Sequence, residues 1–142
     1  MTPTPIQRTR LLGPLLVVVG ANYLAQIPYY LHLYYFPHGT LPSAQGVALL
    51  GVTCAWFLVG YVGLALRRAA GYWLLLAFLL TEVSFYARGV IIRVTNGYPA
   101  FQNMQTHDPV LLVVYGIGYL NMVMDACFVA ALLWYRRALI TR

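Results

Sequence analysis

Lysine is absent from this sequence, and carboxyl side chains are nearly so: the acidic residues are Glu82, Asp108 and Asp125. Charged residues make up 8% of the 142 residues, whereas a soluble domain carries about 25%. So small a polar share cannot cover a water-exposed surface, which excludes an ordinary soluble domain. A net charge of +6 would suggest nucleic acid in a soluble protein. Here most arginines lie at the ends of apolar segments, so we expect no nucleic-acid partner.

Motifs of familiar soluble chemistry are also missing. There is no Ser, His and Asp order of a hydrolase, no phosphate-binding glycine loop, no nucleotide fingerprint and no haem attachment motif. Cys54 and Cys127 fall within apolar segments and have no CxxC spacing, which favours small buried residues over a redox pair. The histidines lack a compact ligand spacing, so we expect no metal site. Cofactor and catalysis stay undetermined at this stage.

Long hydrophobic runs dominate what is present, since hydrophobic residues make up 61% of the chain. A hydrocarbon core about 30 Å thick requires roughly 20 apolar residues in a helix. The sequence therefore predicts an all-α, polytopic membrane protein, a bundle of four transmembrane helices in a single transmembrane domain over 1–142. The expected spans are about 11–35, 44–66, 70–93 and 109–135.

The arginines set the expected orientation. Those on one side of the spans are Arg8, Arg10, Arg67, Arg68, Arg136, Arg137 and Arg142. Because basic residues are retained in the cytoplasm, we expect both termini and the turn at residues 67 and 68 to be cytoplasmic. The first run is longer than the apolar part of a signal peptide, so we expect it to be a retained span.

Two acidic residues, Glu82 and Asp125, fall inside predicted spans. A charge at the bilayer centre costs roughly 2.5–3.5 kcal/mol, which makes such residues candidates for a function. At the rise of an α-helix they lie about 18 and 15 Å from the cytoplasmic boundary, at similar depth. If the third and fourth helices face each other, the two carboxyl groups can share one site and one proton.

Further polar residues share the faces of these acids. Pairs one helical turn apart occupy three spans: Glu82 with Tyr86, Asn121 with Asp125, and Asn22 with Gln26. Lipid penalises an exposed polar stripe, so we expect all three to turn inward. Arg88 is expected either to pair with an acid on another helix or to extend to the lipid headgroups. The predicted ligand-binding residues are Glu82, Asp125, Asn121, Asn22, Gln26, Tyr86 and Arg88.

A purely structural role would have these side chains hydrogen-bond between helices without a ligand. Such bonds contribute about 0.6–2 kcal/mol each, which accounts for amides better than for two carboxyl groups. The expected function is therefore binding of a lipophilic or amphiphilic small molecule in an intramembrane polar pocket. The same residues also fit a proton-coupled transporter or channel assembled as a homo-oligomer, and a structural subunit of a larger membrane complex. Membrane lipids are expected partners in each case.

The segments LLGPLLVVVGANYLAQIP (11–28) and ARGVIIRVTNG (87–97) resemble the first and third spans of the DoxX-like group of small four-helix bacterial membrane proteins. The resemblance is one of layout. It implies a compact multi-pass bundle in the bacterial inner (plasma) membrane with a pocket among its helices. The layout is more distantly similar to the EXPERA membrane proteins, whose four-helix cores hold acids around a ligand cavity. This chain has no acid in its first two spans, so neither group supplies a catalytic residue.

Overall fold

The described part of the chain is helical. The computed structural model describes residues 5–35, 44–97 and 107–139. Its helices are α1 (Pro5–Tyr35), α2 (Ala44–Ala65), α3 (Ala69–Thr95), α4 (Pro109–Trp134) and the short α5 (Arg136–Leu139). None of these described residues is in a strand, which confirms the all-α prediction.

Three of the helices, α2, α3 and α4, are long and apolar enough to cross a membrane. In α1 the described apolar segment is shorter, Leu12–Ile27, although the helix itself has 31 residues. The helix begins at Pro5, ahead of the predicted span, because a helix can continue beyond its apolar part into the polar Arg-containing segment. The apolar helices support a membrane protein.

The long helices pack in the order α1, α2, α3, α4, and α4 returns to α1. Inter-helix hydrogen bonds show that consecutive helices run antiparallel. Among the described residues, side chains donate to backbone carbonyls of another helix at three places: Tyr61 to Leu16 (3.0 Å), Trp56 to Leu74 (3.0 Å) and Tyr72 to Leu132 (2.9 Å). Such bonds stabilise a bundle whose outer surface is apolar, because they do not depend on excluding water.

The turn between α2 and α3 is closed by backbone hydrogen bonds. The N–H of Arg68 donates to the carbonyl of Gly63 at 2.9 Å, and the N–H of Arg67 donates to that of Leu64 at 2.8 Å. This is the Schellman pattern of a helix end, in which the residue after the helix adopts a left-handed conformation. Arg67 does so with φ 55°, at a position that usually holds glycine.

Directly beside this turn, α2 and α3 touch backbone to backbone. A Cβ atom added to Gly71 would lie 2.1 Å from the carbonyl carbon of Gly63, and one added to Gly60 would lie 2.7 Å from the nitrogen of Leu75. Only glycine permits this spacing. Close contact at one end of the hairpin holds α3 in a fixed register against α2.

α4 begins at Pro109, where the sequence supplies two start signals. The Asp108 carboxylate accepts hydrogen bonds from the backbone N–H groups of Val110 (2.8 Å) and Leu111 (3.4 Å). Proline at the first helical position needs no hydrogen-bond partner for its nitrogen. Asp108 therefore caps α4, and it lies outside the predicted spans.

Burial in this bundle is reversed relative to a soluble protein. Side chains such as Trp134 (84% exposed) and Val17 (69% exposed) face outward, whereas Asp125 is only 1% exposed. Aromatic rings fill much of the interior: Tyr23 stacks on Phe57 with centroids 3.7 Å apart. An apolar exterior around a polar interior is what contact with lipid selects.

Candidate intramembrane polar site

The centre of the site is the Asp125 carboxylate on α4, which is held from α1 on both of its oxygen atoms. Asn22 donates through Nδ2 to Oδ1 at 2.9 Å, and Gln26 donates through Nε2 to Oδ2 at 2.9 Å. The two amides are one helical turn apart on α1, so both reach a single carboxylate on the facing helix. These two bonds join α1 to α4 at mid-span.

Asn121 lies one turn before Asp125 on the same face of α4 and is 2% exposed. α1 and α4 run antiparallel, so the C-terminal end of α1 lies beside the N-terminal end of α4. Moving from Asn22 to Gln26 on α1 is therefore moving the same way as from Asp125 to Asn121 on α4. Gln26 and Asn121 therefore lie on the same side of the carboxylate, toward the C-terminal end of α1.

Both of these amides retain an unused hydrogen-bonding atom. Within the described residues, nothing hydrogen-bonds to Gln26 Oε1 or Asn121 Nδ2, although both atoms are fully buried. Gln26 cannot satisfy its oxygen by rotating the amide, since its nitrogen must donate to the Asp125 carboxylate. A buried polar atom without a partner costs about 1–3 kcal/mol. The site thus presents one acceptor and one donor for a group that would pair with them.

The second acid within a candidate span, Glu82 on α3, is partly buried. It lies close enough to Asp125 and to the Tyr23 hydroxyl for an electrostatic interaction with each. Tyr23, the neighbour of Asn22, donates its hydroxyl to Cys54 Sγ at 3.3 Å. α1, α2, α3 and α4 all contribute to this interior region.

A cleft between α3 and α4 is lined by residues that lie about one helical turn from Glu82 and Asn121. It has a volume of about 360 Å³, and its lining includes Tyr86 and Gly118, both buried. Tyr86 follows Glu82 by one turn of α3, and Gly118 precedes Asn121 by about one turn of α4. The buried part of the cleft thus lies about one helical turn along α3 and α4 from these two polar residues.

Glycine also contributes to the open volume of this cleft. A Cβ atom added to Gly89, which lines the cleft, would meet no atom within 4 Å. The same cleft is flanked by the exposed side chains of Phe85 (57% exposed) and Ile92 (47% exposed). Its opening is therefore flanked by apolar side chains and faces the surroundings of the bundle.

The structure brings together three of the sequence-predicted site residues in direct contact: Asn22, Gln26 and Asp125. Asn121 lies beside them, and Glu82 acts through its charge. Tyr86 and Arg88 line the cleft between α3 and α4. Within the described residues Arg88 makes no ion pair with an acid, so the first of its two predicted roles is not seen there.

Sequence analysis does not identify Tyr23, Arg93 or Tyr119 as part of this region. Arg93 donates through a guanidinium nitrogen to the Tyr119 hydroxyl at 2.8 Å, and both line the cleft. Tyr23 is the residue next to Asn22 and contacts α2. It is therefore not on the face of α1 that holds Asn22 and Gln26, and a search for polar residues spaced by one helical turn misses it. A polar aromatic residue at mid-span is the signal that could have found it.

No grouping of three or more His, Cys, Asp or Glu residues occurs in the described ranges, 5–35, 44–97 and 107–139. The chemistry of the site is that of amide and carboxyl hydrogen bonds in a medium of low dielectric, where each bond is stronger than in water. The arrangement leaves one amide oxygen able to accept and one amide nitrogen able to donate a further hydrogen bond.

Comparison with known proteins adds no relative. The chain matches no protein-family model, no curated protein and no solved structure.

Proposed function

We propose that this chain binds a lipophilic or amphiphilic small molecule within the membrane, with its polar group against Gln26, Asn121 and Asp125 and its apolar part in the cleft between α3 and α4. The observation that carries the proposal is the pair of buried, unused atoms, Gln26 Oε1 and Asn121 Nδ2. One hydroxyl group can donate to the first and accept from the second. The chemistry therefore favours a ligand that carries hydroxyl groups.

Hydrogen bonding between helices alone accounts for only part of this arrangement. The bonds from Asn22 and Gln26 to Asp125 join α1 to α4. The unused atoms add nothing to that joint and reduce stability while they stay unpaired. A ligand that pairs with them gives the cluster a role that a purely structural joint lacks.

The proposal includes a fourth span and an orientation. α1 packs along α2 and α4, from Leu16 near Tyr61 to Gln26 near Asp125. Because both neighbours are apolar enough to cross a membrane, a helix packed along them crosses with them. The arginine distribution supports cytoplasmic termini, and the bacterial inner membrane follows from the DoxX-like layout.

Binding of 1-palmitoylglycerol, an uncharged amphiphile with two free hydroxyl groups, tests the proposal. Native mass spectrometry of the detergent-purified full chain should detect a bound molecule. Asp125→Asn should weaken binding about two- to tenfold. The amide nitrogen that this substitution introduces can donate a hydrogen bond to Gln26 Oε1, which is then no longer available as an acceptor for the ligand. Asn121→Leu should weaken binding to a similar extent.

A steric variant tests the cleft independently of the amides. Gly89→Leu places a branched side chain in the cleft, from a position where an added Cβ atom meets nothing within 4 Å, and should abolish binding. Gly51→Leu is the matched control, since a Cβ atom at Gly51 also meets nothing within 4 Å and that residue lies on α2. Equal binding in wild type, Asn121→Leu and Gly89→Leu would overturn the proposal.

A further inference from the structure

Two arginines line the cleft between α3 and α4, near the end of α3. Arg93 is partly buried and its guanidinium donates to Tyr119, which fixes its position. Arg88 lies five residues earlier, about 7.5 Å nearer the middle of the helix. The cleft therefore carries two positive charges at an otherwise apolar opening.

Neither positive charge is neutralised by the rest of the described chain. Within residues 5–35, 44–97 and 107–139, no carboxylate forms an ion pair with Arg88 or Arg93. The three acids of these ranges are placed elsewhere: Asp108 caps α4, Asp125 is bound by two amides, and Glu82 is six residues before Arg88 on a different face of α3. A guanidinium at an apolar opening gains from an anionic partner, because charge-assisted hydrogen bonds are strong where water is scarce.

The charged and uncharged parts of the cleft lie close together along the helices. Arg88 is two residues from Tyr86, a rise of about 3 Å along the axis of α3, and the two side chains leave the helix on different faces. Gly118, also in the cleft lining, is three residues from Asn121, a rise of about 4.5 Å along α4. In a glycerophosphate headgroup two carbon atoms separate the free hydroxyl group from the phosphate ester, so one ligand presents both groups.

We infer that the amphiphile bound in this cleft is anionic, a lipid whose phosphate is bound by Arg88 and Arg93 and whose acyl chain leaves between Phe85 and Ile92. This inference rests on the proposed function and adds the class of the ligand. Arg88 binds the phosphate directly from the edge of the cleft. Arg93, held by Tyr119, binds it from a fixed position. The acyl chain contacts the exposed apolar flanks and the surrounding membrane.

The test compares two lipids that differ by one phosphate, 1-palmitoylglycerol and 1-palmitoylglycerol 3-phosphate, on the detergent-purified full chain by native mass spectrometry. The phosphate-bearing lipid should bind about tenfold tighter. The double variant Arg88→Gln with Arg93→Gln should remove that advantage, so that the two lipids bind with the same affinity. Arg10→Gln, an exposed arginine of α1, is the matched control and should change neither.

Glycerol 3-phosphate, which has the headgroup and no acyl chain, separates a lipid from a free phosphate as the ligand. It should not compete at concentrations at which the lipid saturates the site. Competition at equal affinity would overturn the inference, since the cleft would then recognise phosphate alone. Equal affinity for the two lipids would overturn it too, while Asn121-dependent binding of the uncharged lipid would leave the proposed function standing. If the double arginine variant removes the phosphate advantage but Asn121→Leu changes neither lipid, the anionic site stands and the proposed role of the amides falls.

Discussion

Gln26 binds Asp125 through only one of its two amide atoms. Its nitrogen donates to the carboxylate at 2.9 Å, and its oxygen, buried in a side chain that is 1% exposed, has no partner among the described residues. The carboxylate thus orients the amide and leaves its oxygen unpaired within the described residues. This relationship links the stability of the bundle to its proposed binding site, because a change at Asp125 affects both.

Asp125→Leu should lower the free energy of unfolding by at least about 2 kcal/mol, since it leaves the amide nitrogens of Asn22, which is partly buried, and Gln26, which is fully buried, without an acceptor. Asp125→Asn should cost less than about 1 kcal/mol, because Gln26 can rotate its amide and offer its oxygen. Thermal unfolding of the purified chain in detergent, followed by circular dichroism, measures both. Equal losses in the two variants would contradict the hydrogen-bond arrangement.

Gly71→Ala should destabilise the chain by about 1–3 kcal/mol, because the added methyl group would overlap the backbone of Gly63 and force α2 away from α3. Gly89→Ala is the matched control. It places the same methyl group in open space within a helix and should stabilise by about 0.5–1 kcal/mol. Opposite shifts in unfolding temperature are expected for the two variants, and a stabilising Gly71→Ala would show that the helices do not touch there.

Arg67→Gly should stabilise the turn between α2 and α3 by about 0.5–1 kcal/mol, because Arg67 has a positive φ that glycine adopts without strain. Arg68→Gly removes the same charge at a residue with extended backbone, φ −84°. It should give no gain in stability. The difference between the two unfolding temperatures isolates the backbone effect from the loss of a cation.

Reporter fusions test the number of spans and their orientation. A fluorescent protein that folds only in the cytoplasm should be active when fused after residue 142, and alkaline phosphatase should be active when inserted at residue 40 or 103. These outcomes follow from four spans with cytoplasmic arginines. Active phosphatase at the C-terminus would require an odd number of spans or a reversed orientation.

The positions of the helices could be predicted from the sequence because each coincides with an apolar run bounded by polar or turn-forming residues. The predicted segment 44–66 corresponds to α2, Ala44–Ala65, and 109–135 to α4, Pro109–Trp134. α1 extends beyond its predicted start and α5 has no predicted counterpart, since neither addition is apolar enough to register as a span. Length in a membrane is set by bilayer thickness, whereas helix ends outside it are set locally.

Which polar residues meet is a question of helix rotation and register, and a single sequence constrains these weakly. One-turn spacing does place Asn22 and Gln26 on one face, and they do contact Asp125. The register that aligns them depends on contacts such as that of Gly63 with Gly71, which no polar pattern indicates. The position of Arg93 beside Tyr119 likewise depends on how α3 packs against α4.

The side-chain amide of Asn121 provides the most direct test of a ligand in the interior. In a ¹⁵N-labelled sample, the Nδ2 signals of Asn121, assigned by their loss in Asn121→Leu, should shift and saturate on addition of 1-palmitoylglycerol. The amide of Asn96, exposed at the end of α3, should stay unchanged. An unshifted Asn121 signal at saturating lipid, or equal shifts at both residues, would contradict binding at the polar cluster.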